Sequence, residues 1–154
     1  FFSGSFKGKH EGFSYTIKYT NRSLSGYNSN DPQSPTLEIS FKRRTPFNMI
    51  VLPSKQPRPA FTRKKIVKTG NSEFDNGFTV YADDVLPVSN YVRTPDVLVH
   101  ISTLFLLEYA ELHIAENMVR VEKSIENKEL AIYFDKTRLT KTIKSLTFLA
   151  KSLS

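Results

Sequence analysis

The sequence predicts an α+β domain, with a mostly antiparallel sheet of about six to eight strands covered by two amphipathic helices. Three observations predict this fold. Apolar residues alternate with period two through most of the first half of the chain, and the period becomes helical after Pro95. Strands and helices do not alternate regularly, as they would in a parallel nucleotide-binding sheet. The 154 residues suffice for one domain with a core, so we expect residues 1–154 to form a single domain.

The strand patterns lie in the first half of the chain. The alternating apolar residues are Phe13, Tyr15, Ile17 and Tyr19 in one stretch and Leu37, Ile39 and Phe41 in another. Phe2 and Phe6 precede a glycine-containing turn and predict an earlier strand of a hairpin. FNMIVLP fits a strand buried on both faces, and KKIVKTG and GFTVYADD predict two more strands. The polar stretch at 21–35 and the proline-containing stretch at 54–61 indicate connections.

The helical patterns come later and enclose a second hairpin. A helix is predicted over about 95–109, with Thr94 as N-cap and Pro95 at the first helical position. AELHIAENMVRVEKS predicts a hairpin that turns at Glu116 and Asn117, and ELAIYFD is compatible with a short further strand. The last helix is predicted over about 137–153, capped by Asp135 or Thr137, with apolar residues stepping by four and three.

Composition and motifs argue against several chemistries. The chain has no Cys, which excludes disulfides, thiolate metal sites and a Cys nucleophile. His10, His100 and His113 lack the spacing of a zinc site. The chain contains no phosphate-binding glycine loop and no hydrolase nucleophile elbow. We therefore expect no catalytic residues, no metal site, no cofactor and no enzymatic activity.

Charge is strongly segregated along the chain. Residues 1–70 carry a net charge of +10, residues 71–134 of −7 and residues 135–154 of +4. The candidate polyanion-binding residues form two clusters in the basic part: Lys42, Arg43 and Arg44, then Arg63, Lys64, Lys65 and Lys68. Such clusters bind phosphates of nucleic acid or of anionic lipid headgroups. Because no nucleic-acid recognition motif accompanies them, they are also compatible with solvated strands.

The segment KTGNSEFDNGFTVYADD, residues 68–84, concentrates turn formers, aromatic residues and carboxylates. Gly70 suits a positive φ, Asp75 suits bonds to local backbone donors, and Phe74 and Phe78 are suited to anchor a turn in the core. Asp83 and Asp84 are adjacent, so on a strand they point to opposite faces and cannot easily share a reacting atom. The segment therefore predicts a structural turn motif more strongly than a ligand site.

The same segment resembles a pattern, T-G-x-x-x-F-D-x-x-F-x-V-x-[AS]-D-D, of uncharacterised prokaryotic membrane-anchored proteins. The matching positions are Thr69, Gly70, Phe74, Asp75, Phe78, Val80, Ala82, Asp83 and Asp84. Asn76 and Gly77 stand where that pattern more often has charged residues. The resemblance implies a soluble domain that follows N-terminal transmembrane helices, and it implies no activity. The chain begins FFSGSFKG, without an initiator Met, so we expect a fragment of a longer protein.

Two functional hypotheses follow from the sequence. The first is a non-enzymatic domain of a membrane-anchored protein, on the cytoplasmic side by preference, that serves as a scaffold or binding module for a protein or lipid partner. The alternative is a polyanion binder, for nucleic acid or anionic phospholipid, that uses the basic 42–68 region.

Overall fold

The protein is built on eight β-strands that pair into one sheet. The structure, a computed structural model, describes residues 3–22, 34–56, 63–124 and 135–153. The strands are β1 (Ser3–His10), β2 (Phe13–Arg22), β3 (Ser34–Lys42), β4 (Met49–Pro53), β5 (Lys65–Val67), β6 (Phe78–Ala82), β7 (Glu111–Ala115) and β8 (Met118–Ser124). They lie in the order β1-β2-β3-β8-β7-β4-β6-β5, and every neighbouring pair is antiparallel. This confirms the predicted α+β class and the predicted antiparallel sheet.

Period-two alternation explains why these segments form strands. In β3 the side chains of Leu37, Ile39 and Phe41 are fully buried, whereas Glu38 and Ser40 point to the other face and stay partly exposed. The predicted two-sided burial of FNMIVLP is also present, because Met49 and Val51 are buried on one face of β4 and Leu52 on the other. Each strand is stabilised by the removal of its apolar face from water.

Four helices are present in the described residues: α1 (Ser72–Gly77), α2 (Val85–Val92), α3 (Pro95–Leu106) and α4 (Lys136–Lys151). The two predicted helices are confirmed as α3 and α4, and two shorter helices that were not predicted, α1 and α2, are present as well. The short α1 lies where a turn was expected, because Asn71 caps a helical turn instead of a β-turn. In α2, Pro87 lies in the first turn, where its missing N–H is tolerated. The sequence of α2 has no regular spacing of polar residues that would have predicted a helix.

The helix α3 ends three residues earlier than predicted, and the reason is a local hydrogen-bond motif. Glu108 adopts a φ of 70° just past the helix. The N–H of Glu108 donates to the carbonyl of Phe105 (3.0 Å), and that of Tyr109 donates to the carbonyl of Leu104 (3.3 Å). This is a Schellman arrangement, which usually places Gly at the left-handed position. With Glu at that position, the sequence carried no signal for the end of the helix.

The hairpin formed by β7 and β8 joins the two halves of the sheet. It lies between β3, the last strand of the N-terminal meander, and β4. Glu116 and Asn117 both have positive φ at its turn, the conformation of a two-residue type I′ connection. The Asn117 side chain accepts from Thr45 N (3.3 Å), and its backbone N–H donates to Thr45 Oγ1 (3.1 Å). The turn is therefore fixed to the connection between β3 and β4.

The helix α4 packs against α3, β3 and β8 on one face of the sheet. Buried polar groups fix its position: Tyr91 Oη donates to the carbonyl of Leu149 at 2.8 Å, and Tyr109 Oη and Thr142 Oγ1 are 3.0 Å apart. Burial raises the pKa of Tyr91, so its hydroxyl stays protonated and keeps donating. These contacts orient α4 in addition to its apolar stripe.

Two connections and one short strand of the sequence prediction fall largely outside the described residues. These are the central part of the stretch at 21–35, the end of the stretch at 54–61, and the predicted strand ELAIYFD up to Phe134. In the described part of the chain, no helix has the length and apolar character needed to cross a bilayer.

We predict that Arg43→Ala destabilises the fold by about 2 kcal/mol, because hydrogen bonds to a charged group each contribute about 1.5–3 kcal/mol. The Arg43 guanidinium donates to the carbonyls of Ala150 (Nε, 3.0 Å) and Leu153 (Nη2), at and just beyond the C-terminus of α4, where carbonyls lack the N–H of a following helical turn. Urea unfolding measures the change. The control is Arg44→Ala, at the exposed neighbouring residue; an equal loss in both variants would show that this cap does not stabilise α4.

Candidate functional site

A compact hydrogen-bond motif organises the segment between β5 and β6. The Asp75 carboxylate accepts from the backbone N–H of Thr69 (3.1 Å) and from its hydroxyl (2.9 Å). Asn71 Oδ1 accepts from Phe74 N at 3.0 Å and begins α1. Gly70 links the two halves with a φ of 86°, a conformation that glycine adopts without strain. Asp75 therefore bonds Thr69 locally, through both the backbone N–H and the hydroxyl of that residue.

Three aromatic rings connect this motif to the helix α3. The ring of Phe74 lies 5.3 Å from that of Phe78, which in turn lies 4.5 Å from Phe105. Phe78 is the first residue of β6 and shares a sheet face with the buried Val80. Each tilted ring pair contributes about 0.5–1.5 kcal/mol beyond its buried area. The rings therefore hold α1, β6 and α3 together.

Above these rings lies an apolar groove between α1 and α3, with a volume of about 1060 Å³. Its floor contains the three Phe rings and Leu98. Two apolar residues of α3 form its outer rim and are exposed to solvent, Val99 at 59% and Leu106 at 81%. Exposed apolar side chains beside a groove of this size are typical of a binding surface.

The rim of the groove also carries polar groups. Arg93, at the junction of α2 and α3, is exposed and makes no ion pair with another described residue. Glu73, Ser102 and Thr103 line the same groove. The arrangement is therefore amphipathic, with an apolar floor and polar groups of both charges at its edge.

The adjacent carboxylates Asp83 and Asp84 have separate surroundings. Asp83 Oδ2 forms an ion pair with Lys64 Nζ (3.0 Å) and accepts from Asn48 Nδ2 (3.1 Å). These hydrogen bonds, that from Lys64 above all, hold the pKa of Asp83 below its usual value. Asp84 precedes α2 as its N-cap residue without a side-chain cap hydrogen bond. The two groups do not form a paired-carboxylate site.

The structure does not bring the seven candidate polyanion-binding residues together. Lys42 ends β3 and Lys65 begins β5, five strand spacings apart, which is about 24 Å. Arg43 is engaged with α4, and Lys64 with Asp83. The side chains that remain exposed are Lys42 and Arg44 at one place and Arg63, Lys65 and Lys68 at the other.

The sheet face opposite the helices carries a charged cluster. Glu38, Glu122 and Glu111 lie directly opposite one another on β3, β8 and β7. Arg120 Nη1 is 2.9 Å from Glu122 Oε2 and 3.6 Å from Glu38 Oε2, and His113 Nε2 is 2.9 Å from Glu111 Oε2. Like charges opposite each other on strands are destabilising, so the two basic groups offset this repulsion.

The two coupled carboxyl groups of the cluster have different pKa shifts. The hydrogen bond from His113, with a smaller contribution from Glu122, lowers the pKa of Glu111 to about 2. Burial, followed by the hydrogen bond to Glu111 and its charge, raises the pKa of Glu122. Glu111 is therefore the group that holds the negative charge, and Glu122 retains its proton more readily.

Among the described residues, Glu111, His113 and Glu122 form the one group whose side chains are close enough to hold a metal ion. Their ligand atoms lie within 4.8 Å of one another, and carboxylate with imidazole suits Zn²⁺. Each of these ligand atoms already has a partner in the cluster: His113 pairs with Glu111, and Arg120 with Glu122. Intramolecular ion pairs thus account for the cluster without an ion.

The other two histidines contact α4. His10 Nδ1 lies 2.9 Å from Thr147 Oγ1, and His100 Nδ1 lies 3.0 Å from Ser145 Oγ. The His100 ring also stacks on Phe148 with a centroid distance of 4.2 Å. Burial lowers the pKa of His100, although Asp96 opposes this. Both side chains serve to pack and orient the helix.

No protein-family model matches the chain, and no curated protein sequence matches it. A solved structure is similar: the crystal structure of the mycobacterial trehalose monomycolate transport factor A, TtfA. The TM-score is 0.51 and the identity 12%, over 96% of this chain and 71% of that chain. At this identity the similarity shows a shared fold.

Sequence reasoning missed the groove rim and the charged cluster, although signals for both exist. Val99 and Leu106 are seven residues apart, two helical turns, and lie off the predicted core stripe of α3. A turn at Glu116 and Asn117 also implies that Glu111 faces Glu122 and that His113 faces Arg120. Both inferences need only the element assignments made from the sequence.

We predict that Asp75→Ala destabilises the protein by about 2 kcal/mol, because it leaves the N–H of the buried Thr69 without its acceptor. Urea unfolding measures this change, and hydrogen exchange of the Thr69 amide should become faster. Asp84→Ala serves as the control and should cost less than about 1 kcal/mol, since Asp84 makes no side-chain cap bond. Equal costs would argue against the turn motif as a stabilising unit.

A second prediction concerns acid stability. Because the folded-state pKa of Glu111 is lowered from 4.5 to about 2, its contribution is present above pH 4.5 and is lost as the pH falls towards 2. Glu122, whose pKa is raised, contributes in the opposite sense, and its contribution is lost as the pH rises above 4.5. Glu111→Gln should therefore flatten the acid decline of the unfolding free energy and cost about 1 kcal/mol at neutral pH.

Urea midpoints of both proteins, measured from neutral pH down to pH 2, check this. Glu116→Gln, at the exposed hairpin turn outside the cluster, should keep the wild-type pH profile. Parallel acid declines in Glu111→Gln and the wild type would show that Glu111 does not supply this pH dependence.

Proposed function

We propose that this protein is a non-enzymatic binding module, belonging to a membrane-anchored protein, and that the groove between α1 and α3 binds the acyl chain of a lipid. The observation that carries the proposal is the combination of a floor of three contacting Phe rings with the exposed rim of Val99 and Leu106. The membrane anchor rests on the resemblance of residues 69–84 to membrane-anchored proteins.

The energetics of the rim favour an apolar ligand. Complete burial of a Leu or Val side chain is favourable by about 1.5–3 kcal/mol. Leu106 lacks most of this stabilisation in the free protein because it is 81% exposed. An acyl chain along the Phe floor would cover both rim residues. The groove volume of about 1060 Å³ lies just above the usual range for ligand sites, about 300–1,000 Å³.

The polar edge of the groove suits an amphiphile. Arg93 and Glu73 provide opposite charges, and Ser102 and Thr103 provide hydroxyl groups that both donate and accept. A lipid headgroup can bond these groups while the acyl chain occupies the floor. A purely apolar molecule would leave them unused.

The structural comparison supports a lipid over a peptide as the occupant. A solved structure that shares this fold is named as a trehalose monomycolate transport factor. The alternative function, polyanion binding through the whole 42–68 region, has less support because its two clusters lie about 24 Å apart and Arg43 and Lys64 have intramolecular partners.

We predict that Leu106→Asp and Val99→Asp each weaken binding of a fluorescent fatty acid at least ten-fold. Each change removes apolar contact worth about 1.5 kcal/mol or more and places a charge beside the acyl chain. Fluorescence titration measures the affinity, and displacement by an unlabelled fatty acid of the same length shows that binding is saturable.

The matched control is Leu86→Asp, because Leu86 is 69% exposed on α2 and lies outside the groove. It introduces the same charge and should bind like the wild type. The proposal is wrong if the wild type shows no saturable binding below the critical micelle concentration. It is also wrong if all three variants lose affinity equally, or if an apolar peptide displaces the probe more strongly than any lipid.

A further inference from the structure

Three lysines gather at one corner of the sheet, on the face opposite α3 and α4. Lys7 and Lys9 belong to the edge strand β1, and Lys42 ends β3. We propose that this lysine corner (Lys7, Lys9 and Lys42) docks the protein on the anionic phospholipid surface of a membrane. The proposal does not depend on the groove, because the two surfaces share no residue.

The strand register places the three side chains together. Lys7 lies opposite Thr16, and Thr16 lies opposite Ser40. Lys9 is two residues from Lys7, and Lys42 is two residues from Ser40, so all of them point to the same face. They line a concave surface with a volume of about 840 Å³.

The charge of the lysine corner is not balanced by neighbouring acids. All three lysines are exposed, and none forms a salt bridge with another described residue. Glu116 is the one acidic residue that lines the concave surface. By contrast, Arg120, on the same face, lies between Glu38 and Glu122. A positive surface therefore remains for an external anion.

Neutral donors complete the lysine corner. The residues Ser14, Thr16, Ser40 and Asn117 line it beside the lysines. Hydroxyl and amide groups donate to phosphate oxygens, and lysine ammonium groups add charge-assisted bonds. The chemistry is therefore that of a phosphate-binding surface.

A lipid bilayer fits this surface better than a nucleic acid. Single-strand binders stack bases on free aromatic rings. Tyr15, the aromatic residue that lines the concave surface, points to the opposite sheet face, where its ring stacks on that of Phe41 with a centroid distance of 5.4 Å, so it offers no ring to a base.

Vesicle co-sedimentation tests the proposal. The wild type should bind vesicles of phosphatidylcholine containing about a third phosphatidylglycerol, should not bind pure phosphatidylcholine, and should weaken with salt. Each basic residue near such a surface contributes about five-fold in affinity. The triple variant K7Q/K9Q/K42Q should therefore bind on the order of a hundred-fold more weakly.

The control variant is K136Q/K141Q/K144Q, which removes the same charge from exposed positions on α4 and should change the affinity less than five-fold. Equal losses in the two triple variants would overturn the lysine corner as the docking surface. Equal wild-type affinity for vesicles with and without phosphatidylglycerol would also overturn it. Tighter, lysine-dependent binding of a single-stranded RNA would assign the surface to nucleic acid instead. The triple variant K7Q/K9Q/K42Q should keep the wild-type affinity for the fluorescent fatty acid, because none of its positions lines the groove, and this separates the test from that of the groove.

Discussion

One row of apolar side chains crosses the entire sheet, and the fold depends on it. The register places one apolar residue from each strand in the row: Phe6, Ile17, Ile39, Val121, Leu112, Val51, Val80 and Val67. All except Phe6 are buried. Because β7 and β8 lie between β3 and β4, the row is continuous only when the late hairpin has joined the two early halves. Burial of this row thus couples distant parts of the chain in one cooperative core.

The hairpin turn controls more than the core. A slip of one residue at Glu116 and Asn117 would move every side chain of β7 or β8 to the other face. The register that buries Leu112 against Val121 therefore also sets Glu111 opposite Glu122 on the other face. The charged cluster follows from the apolar pattern, and Arg120 and His113 compensate for it. The strand register thus explains why ionisable residues gather on this sheet face without requiring that they take part in a reaction.

Local periodicity predicted the strands, the late hairpin and two helices, because each depends on neighbours in sequence. Strand order could not be predicted in this way, so the basic clusters at 42–44 and 63–68 appeared to form one region although β3 and β5 lie far apart. The helix α1 escaped prediction because Asn71 and Asp75 act equally well in a turn. Because the strand order could not be predicted, the sequence also provided no reason to group Lys7 and Lys9 with Lys42: these residues come together only when β1, β2 and β3 lie side by side.

The fold separates its two proposed binding surfaces. The groove lies on the helical face near β6, and the lysine corner lies on the opposite face at β1 and β3. Six strand spacings from β1 to β6 amount to about 29 Å. A lipid in the groove and a membrane at the lysine corner therefore do not compete for space. Because the row of apolar residues holds both ends of the sheet in one core, docking at one end fixes the distance of the groove from the membrane.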